Sequence, residues 1–159
     1  MPELYIFAVC SDVIIDKSET ASLISLFGEI KAFLPPEAGP VPRDAVAPKE
    51  WAVFTSWRQR PEDGGRQYRQ KIQILYPDGT PFGAVTEVDF AFQAGKSHHQ
   101  LTTKWNGFPI GQTGMYSVKM WLEGDGSTVF GPVSIGVNVQ HERTNSPPGQ
   151  PLPLASPSA

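Results

Sequence analysis

Pro81-Phe82-Gly83-Ala84-Val85-Thr86-Glu87-Val88-Asp89-Phe90-Ala91-Phe92 is the stretch that decides the fold. Phe82, Ala84, Thr86, Val88, Phe90 and Phe92 fall on every second position, and Glu87 and Asp89 stand between them. Period two is the repeat of a strand with one face buried and the other in water. Pro77-Asp78-Gly79-Thr80 precedes it and predicts a tight turn, because Pro presets φ and Gly accepts positive φ. Upstream of that turn, Tyr68, Gln70, Ile72, Ile74 and Tyr76 share one face, opposite Arg69, Lys71 and Gln73. Further upstream, Trp51, Val53, Thr55 and Trp57 alternate with Ala52, Phe54, Ser56 and Arg58. These last two segments predict a hairpin joined by a loop at Arg60-Pro61-Glu62-Asp63-Gly64-Gly65.

The same alternation continues downstream. Leu101, Thr103 and Trp105 share a face, as do Tyr116, Val118, Met120 and Leu122, and then Val133, Ile135, Val137 and Val139. At the other end, Leu4 to Cys10 is apolar on both faces, which suits a strand covered on both sides. Asp12 to Thr20 is polar around Val13-Ile14-Ile15 and predicts a turn or hairpin arm. Residues 21–33 fit either a helix or a strand, and Gly28 favours a strand with a bulge. Five prolines in 34–50 predict a long connection crossing between sheets. About eight strands separated by turns predict an all-β antiparallel sandwich of two sheets over residues 1–141. Glu142 to Ala159 is rich in Pro and Ser and predicts a flexible tail with polyproline character.

Composition agrees. Among 159 residues there are 15 Gly and 16 Pro, which argues against a helix bundle. The net charge of −3 argues against a dedicated nucleic-acid binder. No apolar run is long enough for a spanning helix, and the first residues lack the basic start of a signal peptide. The single cysteine, Cys10, cannot form an internal disulfide and sits in an apolar run, so a buried thiol and a cytoplasmic setting are expected.

Gly114-Met115-Tyr116 resembles the corner before a late strand of immunoglobulin-like sandwiches, where a Tyr bonds back to upstream backbone. Phe7-Ala8-Val9-Cys10-Ser11-Asp12, followed by Ala21-Ser22-Leu23-Ile24-Ser25-Leu26-Phe27-Gly28-Glu29-Ile30, resembles a family of small bacterial and phage-associated sandwiches of unknown function. In that family a Pro-rich connection leads into immunoglobulin-like strands. The resemblance implies a fold and no catalytic residues.

Chemistry-bearing clusters are sparse. His98-His99 would need a third ligand such as His141 or Asp89 to hold a metal, and no Cys or carboxylate stands at ligand spacing beside them. Asp63, Asp78 and Asp125 lie in Gly-containing turns and are expected to be turn formers. No metal, cofactor or catalytic residue is expected. Residues 58–71 carry a net +3 in an otherwise acidic chain, through Arg58, Arg60, Arg66, Arg69 and Lys71. Trp121 lies on the face of Lys119, opposite Met120, and is expected to be solvent-facing or covered by a partner. Trp51 and Trp105 are expected in the core.

The expectation is therefore a non-enzymatic binding or assembly module for a protein partner or a second copy of itself. Trp57, Arg58, Arg69, Lys71 and Trp121 are the candidate contact residues. A carbohydrate-binding module using surface tryptophans is the alternative, and a metal-dependent enzyme comes third. No membrane partner is expected.

Overall fold

The computed structural model describes residues 1–144. Nine strands form two sheets: β1 (Glu3–Ile15), β2 (Ala21–Leu26), β3 (Glu29–Leu34), β4 (Val46–Arg58), β5 (Gln67–Leu75), β6 (Pro81–Ala91), β7 (His98–Pro109), β8 (Gly114–Gly124) and β9 (Ser127–Arg143). The four-stranded sheet has the order β2-β1-β4-β7, and the five-stranded sheet the order β3-β9-β8-β5-β6. β3 lies parallel to β9, and the other pairings are antiparallel. The all-β, two-sheet organisation follows the alternation in the sequence.

Nine strands appear where eight were expected because residues 21–34 form two. β2 pairs with β1 in one sheet and β3 with β9 in the other, so the chain changes sheets at Phe27-Gly28. The expected bulge at Gly28 is instead a crossing point. There the Phe27 N–H donates to the Val9 carbonyl at 3.4 Å, and the Gly28 carbonyl accepts from Asn138 N–H at 2.8 Å.

The predicted β4–β5 hairpin is also corrected. β4 lies between β1 and β7 in the four-stranded sheet, whereas β5 lies between β8 and β6 in the other. Seven consecutive residues, Trp51 to Trp57, are buried, because both faces of β4 are covered. The outward positions Ala52, Phe54 and Ser56 carry no charge, unlike those of an outer hairpin arm. The chain crosses through a 3-10 turn at Pro61–Asp63. Buried Asp63 organises this crossing. It accepts from Arg60 N–H at 2.8 Å and from the Tyr68 O–H at 2.7 Å, and the Met1 α-ammonium stands 2.9 Å away.

One core lies between the sheets. Trp51, Val53 and Trp57 of the four-stranded sheet cluster with Ile72, Tyr116, Val118, Met120, Leu122 and Val137 of the other. Trp105 stacks on Trp51 with ring centroids 4.5 Å apart, in line with the expected core role of both. Within this core the buried Gln70 carbonyl oxygen accepts from Thr55 Oγ1 at 2.7 Å and Trp57 Nε1 at 2.8 Å. Gln70 Nε2 is buried and meets no hydrogen-bond partner among the described residues.

A second, smaller cluster of Cys10, Val13, Ala52 and Phe54, joined by Ala21 and Leu23, lies on the outer side of the four-stranded sheet. β1 pairs with β4 only as far as Cys10, and Asp12 to Ile15 pair with β2 alone. Cys10 lies opposite Ala52 of β4, which lies opposite Lys104 of β7. Asp12 nevertheless reaches Lys104 at 2.8 Å, across the width of β4. At the hairpin tip, Glu19 pairs with Lys96, just ahead of β7. The far half of the β1–β2 hairpin therefore folds over the outer face of the sheet and covers Phe54.

β9 continues to Arg143, two residues past the boundary expected at residue 141. The Arg143 guanidinium donates to the Pro36 carbonyl at 3.4 Å, which ties this end of β9 to the β3–β4 connection. The Pro- and Ser-rich stretch from residue 145 to 159 lies outside the described residues.

Candidate functional site

The five candidate contact residues do not share one surface. Trp57 is fully buried, in phase with Trp51, Val53 and Thr55, so it packs the core and offers nothing to a partner. Arg58 is exposed at the end of β4, opposite Glu3 and His98, on the four-stranded sheet. Arg69, Lys71 and Trp121 do come together, on the outer face of the five-stranded sheet. β5 supplies Arg69 and Lys71, and β8 supplies Trp121, which lies directly opposite Lys71.

The positive charge expected there is neutralised by neighbouring strands. Arg69 Nε binds Asp89 at 2.6 Å, and its Nη1 lies 3.4 Å from Glu87. Lys71 Nζ stands between Glu87 at 3.1 Å and Glu123 at 3.0 Å. The bond to Asp89 raises the pKa of Arg69, and the bonds to Glu123 and Glu87 raise that of Lys71. In return, Arg69 holds the Asp89 carboxyl below its ordinary range, and Lys71 does the same for Glu123. The registers explain this: Arg69 faces Asp89 and Glu123, and Lys71 faces Glu87. The face is an alternating ionic lattice that keeps an outer sheet surface soluble.

Trp121 is half-buried in this lattice. Its indole N–H donates to Glu123 Oε1 at 3.4 Å, and Lys119 Nζ stands 5.7 Å from the ring centroid. Across from it, Gly131 on β9 is tight: a Cβ there would lie 3.0 Å from the Met120 carbonyl and 3.3 Å from Trp121 Cα. Charged neighbours thus frame the ring and leave part of it exposed.

The histidines separate. His98 and His99 begin β7 and point to opposite faces. His99 stacks on Phe90 at 4.7 Å, and burial lowers its pKa. His141 Nε2 bonds the Ile110 carbonyl at 2.6 Å. Among the described residues no three His, Cys, Asp or Glu side chains come together in a way that could hold a metal ion. Cys10 is buried, as expected, and burial together with the nearby Asp12 pushes its thiol pKa up.

The surface that the sequence reading passed over is the folded hairpin. Eleven large hydrophobic side chains are exposed among the described residues. Six of them, Tyr5, Ile6, Ile14, Ile15, Ile24 and Leu26, fall on the first two strands. Ile14 is 55% exposed and Leu26 66%. The signal was the triplet Val13-Ile14-Ile15 inside a polar stretch, followed by Ile24 and Leu26. Its meaning depended on which of these residues turned inward.

No family model and no curated protein sequence matches the chain. No helix among the described residues is long and apolar enough to cross a membrane.

Proposed function

We propose that this chain is a non-enzymatic β-sandwich module that binds or assembles with a protein, a second copy of itself included. The observation that carries the reading is the crowding of exposed aliphatic side chains on β1 and β2, beside β2 as the edge strand of its sheet among the described residues. Solvent-exposed apolar patches and free strand edges are common interaction surfaces. Trp121, framed by Lys71, Lys119 and Glu123, supplies a second aromatic anchor ringed by charge. The single, buried thiol supports a cytoplasmic setting.

The same proposal takes the fold as immunoglobulin-like. Its support is the Tyr116 corner. The Tyr116 hydroxyl donates to the Gln112 carbonyl at 3.1 Å and accepts from Gln112 N–H at 3.0 Å. A strand that switches sheets and then runs parallel to the last strand is in keeping with that reading.

The test compares the wild-type chain with Ile14→Lys/Ile24→Lys by light scattering and sedimentation at increasing concentration. Self-association, or binding to an isolated partner, that the double substitution abolishes while the far-ultraviolet spectrum stays β-type would support the proposal. A monomer at every soluble concentration, with partner binding indifferent to both substitutions, would remove it.

A further inference from the structure

We infer that the β1–β2 hairpin is a detachable strap that swings off the outer face of the four-stranded sheet while the two-sheet core stays folded. Beyond Cys10 no ladder joins β1 to β4, so from Asp12 onward side chains alone hold the hairpin down. Val13, Ala21 and Leu23 form the apolar contact with Ala52 and Phe54. The pairs Asp12–Lys104 and Glu19–Lys96 hold its two ends, and all four of these side chains are at least 46% exposed. Exposed pairs of this kind hold weakly and are screened by salt.

Two non-glycine residues of the hairpin are also held in an uncommon backbone conformation. Glu19 and Ser25 both have positive φ, 63° and 51°, a region that non-glycine residues seldom occupy. Glu19 lies in the turn before β2 and Ser25 within β2, next to Leu26, whose partner Cys10 is the last β1 residue laddered to β4, opposite Ala52. On the outer side Ile14 and Ile24 are exposed, so packing from above adds nothing to hold the strap in place.

What lies beneath is closed to solvent. Cys10 and Ala52 are fully buried and Phe54 nearly so. Thr102, opposite Phe54 on β7, has a buried hydroxyl that meets no partner among the described residues.

Because Cys10 is the only cysteine in the chain, it reports opening directly. In an aromatic disulfide reagent, the Cys10 thiolate attacks one sulfur. A mixed disulfide forms, the reagent's S–S bond breaks, and a coloured aromatic thiolate leaves. Full-length protein is assayed at fixed pH in low urea, and global unfolding is followed separately by tryptophan fluorescence.

The strap requires a labelling rate above that permitted by global unfolding and nearly flat in dilute urea. Lys96→Ala/Lys104→Ala should raise the rate about three- to tenfold with little change in the global midpoint. High salt should raise the wild-type rate and leave the double variant unchanged. Labelling that follows the global unfolding curve with its full urea dependence would overturn the inference. So would a rate indifferent to both the lysine substitutions and salt.

Discussion

Replacing Gln70 with leucine removes the one acceptor that two buried donors share. The Thr55 hydroxyl and the Trp57 indole N–H both end on Gln70 Oε1, at 2.7 and 2.8 Å, and Thr55 and Trp57 are fully buried. A buried donor left without a partner costs about 1–3 kcal/mol. Gln70→Leu creates two such donors and removes one unpartnered group, the Gln70 amide nitrogen. The net loss is therefore about 1–3 kcal/mol. At about 2–4 °C per kcal/mol for a chain of this length, the melting temperature falls by several degrees. Thr55→Val/Gln70→Leu removes one of the stranded donors together with its acceptor. Its cost should be smaller than the sum of the single costs by about 1 kcal/mol. Urea titrations of the four proteins close the cycle, provided that the slope stays constant and only the midpoint moves. A Gln70→Leu protein at least as stable as wild type would refute the argument, as would strict additivity in the cycle.

Two further expectations concern the ends of the molecule. A Cβ added at Gly111 would run into the Arg43 carbonyl oxygen, so Gly111→Ala must displace the β3–β4 connection. A loss of about 2–3 kcal/mol in chemical denaturation is expected, and a neutral result would contradict the close approach. Asp63 gives a pH dependence. Burial alone would raise its pKa, but bonds from the Met1 α-ammonium, Arg60 N–H and Tyr68 O–H outweigh burial and lower it, while Tyr68 is pushed up to about 12 by burial and Asp63. A carboxyl with a lowered folded-state pKa binds fewer protons when folded. Its stabilisation is thus full above the ordinary Asp value and is lost as pH falls through the lowered one. Melting temperature followed down into that acidic range should drop more steeply for wild type than for Asp63→Asn, and equal slopes would contradict the assignment.

The alternation along β5 to β9 made the strands legible, because period two is a local property of the chain. Partnership was less legible. Trp51–Arg58 and Gln67–Leu75, separated by a short loop, have the signature of a hairpin, yet they belong to different sheets. The clue lay in the outward positions of β4. Ala52, Phe54 and Ser56 lack the charge that Arg69 and Lys71 give to β5, and so mark a strand covered on both faces. Residues 21–33 failed similarly as a single strand. A chain that changes sheets keeps its apolar spacing while its partner changes, and spacing alone does not encode the partner.

The candidate surface shows the same limit in electrostatic form. Counted along the chain, residues 58–71 make a basic patch. Counted across the sheet, Arg69 and Lys71 meet Glu87, Asp89 and Glu123, which arrive from β6 and β8. An exposed charge attracts a partner only when its own sheet has not already supplied one, so the paired charges argue for solubility, and of that face only Trp121 enters the proposed binding role. The apolar hairpin presents the opposite case. Val13 and Leu23 turn inward and Ile14 and Ile24 outward, so the arm is apolar on both faces. Solubility alone would select charge at positions 14 and 24. In the proposed binding role, the aliphatic side chains there are the surface that a protein partner covers.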